Sequence, residues 1–387
     1  MISEIPFPHH TYGHESIEGS YEIMSAADAC PVEEPQCGDV PDVASDMKSA
    51  HVTELILIHG TFAGNDVIGL VREISRYKPQ MARTLRNVGK NLFDQVAGDV
   101  GNYTDAFAEH LEVLVNESES NAIHINRFNW SGENHHLGRV GGAISLLHYL
   151  TSQSWSSDQR VLLWGHSHGG NVIAIASLLL GASSDAIERF FDATRMHYRN
   201  PITGRLDLPH WEEVKRKLLS KDLPYQLPAL DVATFGTPPR YRWNTNVCTK
   251  LLHFVQHRPL DVQHPGRASI PNSVQDVIEA RGGDYIQQIG IAGTDFPHQA
   301  FAWRSWSAER RLRDIFESTI RLRDLPNNLR SGYRVSLDGK TLLVDYPSTD
   351  EHWNQKLIGH GVYTRPEWLP FHLNEISDHF YRSSPKT

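Results

Sequence analysis

Residues 161–170 read Val161-Leu162-Leu163-Trp164-Gly165-His166-Ser167-His168-Gly169-Gly170. A short apolar run with strand character enters a Gly-His-Ser-His-Gly turn. The chain then continues through Asn171-Val172-Ile173-Ala174 with the character of a helix. This strand–turn–helix setting turns a bare G-x-S-x-G match into a candidate nucleophile. A serine at the apex of so tight a turn takes a strained backbone angle, and its hydroxyl stands clear of the chain. Gly165 and Gly169 let neighbouring backbone approach without a Cβ clash. The helix N-terminus beyond would aim N–H groups at a developing negative charge.

Working upstream, residues 53–60 (Thr-Glu-Leu-Ile-Leu-Ile-His-Gly) form a continuous apolar run, as expected of a buried parallel strand. The run ends in the Gly-bounded turn His59-Gly60-Thr61-Phe62. A helix is predicted over 104–115, with Thr104 as its cap and Phe107, Leu111 and Leu114 on one face. A strand over 122–130 and a helix over 139–150 precede the serine turn. Strand, helix, strand, helix, strand is the order of a doubly wound, mostly parallel α/β sheet. Residues 1–50, acidic and proline-interrupted from Glu15 to Asp46, read as an N-terminal extension, flexible or draped over the domain 51–387.

Downstream, the serine helix is expected to stop near Gly181. Residues 183–228 carry aromatic and charged helical pieces and read as a helical insertion, either a lid or ordinary connecting helices. Strands are expected at 229–235, 251–257 and 285–291. A helix is predicted over 308–325. A hairpin is predicted over 333–344 around Asp338-Gly339, because Asp-Gly between alternating residues favours a tight turn. A last helix is predicted over 366–380.

The 165–169 turn resembles the nucleophile elbow of the α/β-hydrolase superfamily, in its lipase/esterase-like branch. His59-Gly60-Thr61 is similar to the His-Gly turn of the same lipases. The resemblance implies a Ser-His-Asp hydrolase of carboxylic esters acting through an acyl-enzyme on Ser167, with the partners following in the order acid, then histidine. Asp261, just past the 251–257 strand, is the first candidate for the acid; Asp295 and Asp284 are its rivals. Asp231 opens its strand and should point to the wrong end. His360, within Gly359-His360-Gly361, resembles the C-terminal histidine loop; His298 is its rival. His352, His372 and His379 read as surface or helix residues. The oxyanion hole is expected from the backbone of His168 and Thr61. Phe62 and Trp130 are candidates to line the substrate pocket, and His59 to order its turn. His166 and His168 flank the serine but are expected to point away from it.

An acyltransferase on the same scaffold is the alternative reading, as is a binding protein that keeps the elbow only as structure. The resemblance implies no cofactor and no metal, and a small-molecule or lipid ester as the substrate.

Composition bounds the rest. The chain has 387 residues, 40% of them hydrophobic, with a mean hydropathy of -0.42. The net charge of -9 argues against nucleic acid as a partner. No run reaches the ~20 apolar residues that span a bilayer, and the first residues lack the pattern of a secretory signal. Three cysteines, Cys30, Cys37 and Cys248, suit a reducing, cytoplasmic compartment. Oligomeric state is not legible.

Overall fold

A computed structural model of the chain describes residues 7–8, 19–26, 40–61, 103–116, 122–200, 202–206, 208–220, 227–248, 250–258, 264–267, 280–292, 303–316, 333–347 and 359–382. Seven strands form one sheet: β1 (Ser20–Ser25), β2 (Val52–Ile58), β3 (His124–Phe128), β4 (Arg160–His166), β5 (Ala229–Phe235), β6 (Lys250–Gln256) and β7 (Lys340–Asp345), in the order β1-β7-β6-β5-β4-β2-β3. Every adjacent pair is parallel.

Alternate strand residues feed two buried layers, as the two-residue period of a strand dictates. On one face Ile56, Ile58, Val161, Leu163 and Val232 pack beneath α3 (His136–Ser152), α4 (His168–Leu180), α5 (Ser184–Thr194), α6 (His210–Leu218) and α8 (Trp303–Ile315). On the other, Leu55, Leu57, Leu162, Trp164, Phe235 and Phe254 meet α1 (Val40–Ser49), α2 (Asp105–Val115) and α9 (Leu369–Phe380). Burying each such side chain is worth about 1.5–3 kcal/mol. Burial on both faces explains why the central strands read as unbroken apolar runs. Among the described residues no helix is long and apolar enough to cross a membrane.

The chain runs from β2 outward to β3, then returns past β2 to β4 and proceeds the other way to β5 and β6. The winding therefore reverses between β2 and β4. In open α/β sheets the crevice beyond the carboxyl ends at such a reversal is the usual ligand site. Ser167 directly follows β4 at that point.

Thr104 caps α2 through its hydroxyl, which accepts from the Phe107 N–H at 3.2 Å. Four other expectations are corrected. Part of the supposed N-terminal extension is built into the fold: β1 pairs with β7 and α1 packs on α9 and α2. Residues 285–291 are not a strand but belong to α7 (Tyr285–Ala292). The cause is the preceding Asp284, whose carboxylate accepts from the Gln287 N–H at 2.8 Å and caps the helix start. The hairpin over 333–344 does not form, because β6 and β1 occupy both edges of β7 in parallel register. The Asp338 carboxylate instead accepts from the Arg242 guanidinium, at 2.7 Å to each oxygen, and from the Trp243 N–H at 2.9 Å. The helix expected over 308–325 begins earlier, at Trp303, and ends at Ile315.

Within 183–228, α5 and α6 pack on α8 and α3, with Phe190, Phe191, Trp211 and Val214 fully buried. Cys248 is buried, and burial pushes its thiol up to about 12. Cys30 and Cys37 lie outside the described residues.

Candidate active site

Ser167 sits between the last residue of β4 and the first of α4, with φ 51° and ψ -129°. A non-glycine residue there carries strain on the order of 1–3 kcal/mol and persists only when its surroundings over-determine it. They do. The Ser167 N–H donates to the Phe235 carbonyl at 2.8 Å. The Ser167 carbonyl accepts from the Thr237 hydroxyl at 2.8 Å and from the Gly170 N–H at 3.1 Å. Glycine is required beside it: a Cβ on Gly169 would stand 2.3 Å from the Ile58 carbonyl oxygen.

The same segment that clamps Ser167 from β5 also abuts His360. Gly236, between Phe235 and Thr237, has φ 58°, and a Cβ there would lie 3.0 Å from Cε1 of His360 and 2.8 Å from Oδ2 of Asp284. His360 follows β7 and is buried. Its Nδ1 is 2.6 Å from Asp284 Oδ2. A carboxylate can only accept, so Nδ1 carries the proton and Nε2 presents its lone pair. Nε2 has no hydrogen-bond partner among the described residues.

Asp284 is completely buried. Oδ1 accepts from Gln287 N–H, while Oδ2 accepts from His360 and, at 3.0 Å, from the Tyr363 hydroxyl. That hydroxyl in turn accepts from the Gln256 N–H at 2.6 Å, tying the acid to the end of β6. Burial, with Asp284 beside it, holds the Tyr363 phenol well above its usual range, so it stays a donor. The buried Arg334 guanidinium donates to the Gly282 carbonyl at 2.8 Å and to the Gln256 carbonyl. Burial lowers its affinity for a proton, and the nearby Tyr363 and Asp284 oppose that shift.

The turn after β2 closes the other side. A Cβ on Gly60 would lie 2.7 Å from the Ser167 Cβ. His59 orders this turn. Its Nδ1 is 2.8 Å from the Gly60 carbonyl oxygen, while Nε2 accepts from the Trp130 N–H at 3.3 Å. The Trp130 indole donates to the His59 carbonyl at 2.8 Å and stacks on the imidazole. Burial lowers the His59 pKa to about 4, so the ring is neutral at pH 7 and the turn is locked by one tautomer. Trp130 is thus placed in the core as a brace. Thr61 stands at the end of this turn, its hydroxyl without a partner among the described residues. The His168 N–H is among the first of α4, which have no acceptor inside the helix. The His168 side chain faces Asn171, 3.0 Å from its amide nitrogen.

Of the candidates named from sequence, the structure brings Ser167, His360, His168 and Thr61 to one rim and supplies Asp284 as the carboxylate on His360. Asp261, Asp295, His298, Phe62 and His352 lie outside the described residues. Asp231 is at the opposite end, paired with Arg160 at 2.9 Å. The His166 ring lies against that of His360, centroids 4.6 Å apart. His372 lies on α9, as the sequence reading allows, and is fully buried, 2.8 Å from the Tyr346 hydroxyl. Sequence reasoning missed Tyr363 and Arg334 altogether. The sequence offers Asp284 only as a rival to Asp261, with a strand expected at 285–291; the structure instead puts Asp284 after β6 at the start of α7. The pair Gly282-Gly283, a tight turn directly before a capping Asp, was the available signal.

The protein is therefore of the α/β class, a seven-stranded parallel sheet with helices on both faces. At its winding reversal stand a strained serine and a histidine–aspartate pair. Comparison with known protein families, with curated proteins and with solved structures finds no match.

Proposed function

We propose that this chain is a carboxylic-ester hydrolase of the α/β-hydrolase type. The observation that carries the reading is the pairing of His360 Nδ1 with the buried Asp284 carboxylate, packed against Gly236, which lies between the two residues that clamp Ser167. A serine hydroxyl needs a base, and the base needs a carboxylate to fix its tautomer. The strand order supports it too: nucleophile, acid and histidine follow β4, β6 and β7, all at carboxyl ends.

In this reading Ser167 Oγ attacks the ester carbonyl carbon and its proton passes to His360 Nε2. The oxyanion is held by the N–H groups of His168 and Thr61, each worth about 2.7–4 kcal/mol. Collapse breaks the ester C–O bond, and the leaving alcohol takes the proton from His360. Water, deprotonated by His360, then attacks the acyl-enzyme, releasing the acid and restoring Ser167. Asp284 orients the imidazole through His360 Nδ1. The segment 183–228, read from sequence as either a lid or ordinary connecting helices, packs α5 and α6 into the core, which favours connecting helices.

The test is labelling by a fluorophosphonate probe, together with turnover of p-nitrophenyl esters of rising chain length. Wild type should label and turn over, and Ser167→Ala should do neither while keeping its circular dichroism. Equal labelling of the Ala variant would remove Ser167 as the nucleophile. The chain length with the best turnover separates an esterase from a lipase.

A further inference from the structure

The outer face of α8 carries a stripe that neither the core nor the candidate site uses. Trp303, Trp306, Arg310 and Arg313 recur at spacings of three, four and three residues, so they share one side of the helix. Trp303 is 59% and Trp306 53% exposed, unusual for residues of this size. The Arg310 guanidinium lies 5.9 Å from the Trp306 ring centroid, and Arg310, Arg311 and Arg313 are exposed. Among the described residues none of these three forms an ion pair. The inward face is firmly anchored. Ala308 and Leu312 are buried, and the Glu309 carboxylate accepts from the His136 and Leu137 N–H groups at 3.0 and 2.7 Å.

A second apolar side chain adjoins this face. The turn closed by the Arg199–Leu206 bridge is held to α8 where Arg304 donates to the Arg199 carbonyl and His197 meets the Ser305 hydroxyl at 3.3 Å. This turn bears Ile202, 73% exposed, with exposed Arg195 and Arg205 beside it. Among the described residues, the exposed acids of α5, α8 and this turn are Asp185, Glu188, Asp192 and Asp314, against exposed Arg189, Arg195, Arg205, Arg310, Arg311 and Arg313. Basic charge thus gathers here on a protein of net charge -9.

We propose that this face docks the protein on an anionic phospholipid surface. Tryptophan prefers the headgroup boundary, isoleucine enters the acyl region, and arginines pair with lipid phosphates. Charge complementarity selects the partner: a protein of net charge -9 meets anionic lipid favourably where arginines outnumber acids. Because α3 begins at the carboxyl-end rim, the Glu309 contact ties α8 to the rim that bears Ser167. Docking does not depend on the chemistry proposed for that serine.

The full chain is mixed with phosphatidylcholine vesicles, with and without phosphatidylserine. Co-sedimentation and tryptophan emission are followed. Binding with a blue shift is expected only with phosphatidylserine, weakening as salt rises. The variant Trp303→Ala/Trp306→Ala/Arg310→Glu/Arg313→Glu should partition at least about tenfold less. Val113→Ser, on the opposite face, should bind as wild type, and so should Ser167→Ala, so failure of hydrolysis and failure of docking are read separately. No binding by folded wild type, or equal binding by the folded quadruple variant, overturns the proposal. So does a single-stranded oligonucleotide that binds in its place and loses affinity on the Arg→Glu changes.

Discussion

Asp284→Asn isolates one oxygen. The amide keeps the size of the carboxylate, and its carbonyl can still accept from the Gln287 N–H as Oδ1 does at 2.8 Å. At the Oδ2 position, however, an acceptor becomes an NH2 donor. His360 Nδ1, 2.6 Å away, must then give up its proton and accept. The ring switches tautomer, Nε2 acquires the hydrogen, and no lone pair remains for the serine proton. Such an acid-to-amide change lowers kcat by about four orders of magnitude, or roughly 5.5 kcal/mol. The structural cost is smaller. The Tyr363 hydroxyl loses its acceptor at 3.0 Å, worth about 1–3 kcal/mol against the roughly 5–15 kcal/mol of an ordinary domain. The variant should therefore fold and melt cooperatively while its p-nitrophenyl ester turnover collapses. Fluorophosphonate labelling should slow in step. If the folded variant keeps turnover within tenfold of wild type while His360→Ala abolishes it, Asp284 is not the orienting carboxylate. Asp261→Asn, made alongside, should leave kcat unchanged.

Three further outcomes follow from the surroundings of the site. Gly236→Ala places a Cβ at φ 58°, 2.4 Å from the Tyr363 ring; it should lose at least about 2 kcal/mol in urea unfolding and depress kcat. Burial lowers His59, His253 and His257 to about 4 and His372 to about 3. Each contributes stability that is present above the unfolded value of 6.5 and is lost as pH falls towards 4, about 2 kcal/mol apiece by pH 5. The melting temperature should drop steeply between pH 6.5 and 4.5, and a flat profile would contradict the buried neutral imidazoles. Glu375 on α9 behaves oppositely. Burial first, then Asp378 and Glu22, raises it from 4.5 to about 7 despite Lys340 and Arg382. The folded state therefore binds its proton more tightly, and stability falls as pH rises through that window. Glu375→Gln should stabilise by about 3 kcal/mol at pH 8 and by little at pH 4, read as a difference in melting temperature.

Local sequence was enough to place Ser167. A strand, a Gly-bounded bend and a helix are each encoded within about ten residues, and strain at the bend follows from their junction. The buried strands β2, β4, β5 and β6 were legible for a similar reason: both faces are covered, so their apolar runs are unbroken. The turn of His59, Gly60 and Thr61 was readable from its glycine and its place after β2.

The carboxylate could not be chosen that way. His360 and Asp284 are 76 positions apart, and which acid meets the ring depends on how the loop after β6 lies against the one after β7. Two long-range contacts and one local one decide it: Tyr363 to Gln256, Arg334 to the Gly282 carbonyl, and the cap on α7. The same holds for β7, whose Asp-Gly entry suggests a hairpin until two parallel neighbours take both its edges. The sequence by itself determined the serine turn and the central strands, because those follow from short-range backbone preference and burial. Only the tertiary structure decided the acid, the edge strand β1 and the bracing of the histidine, because each arises from groups brought together by closure of the sheet.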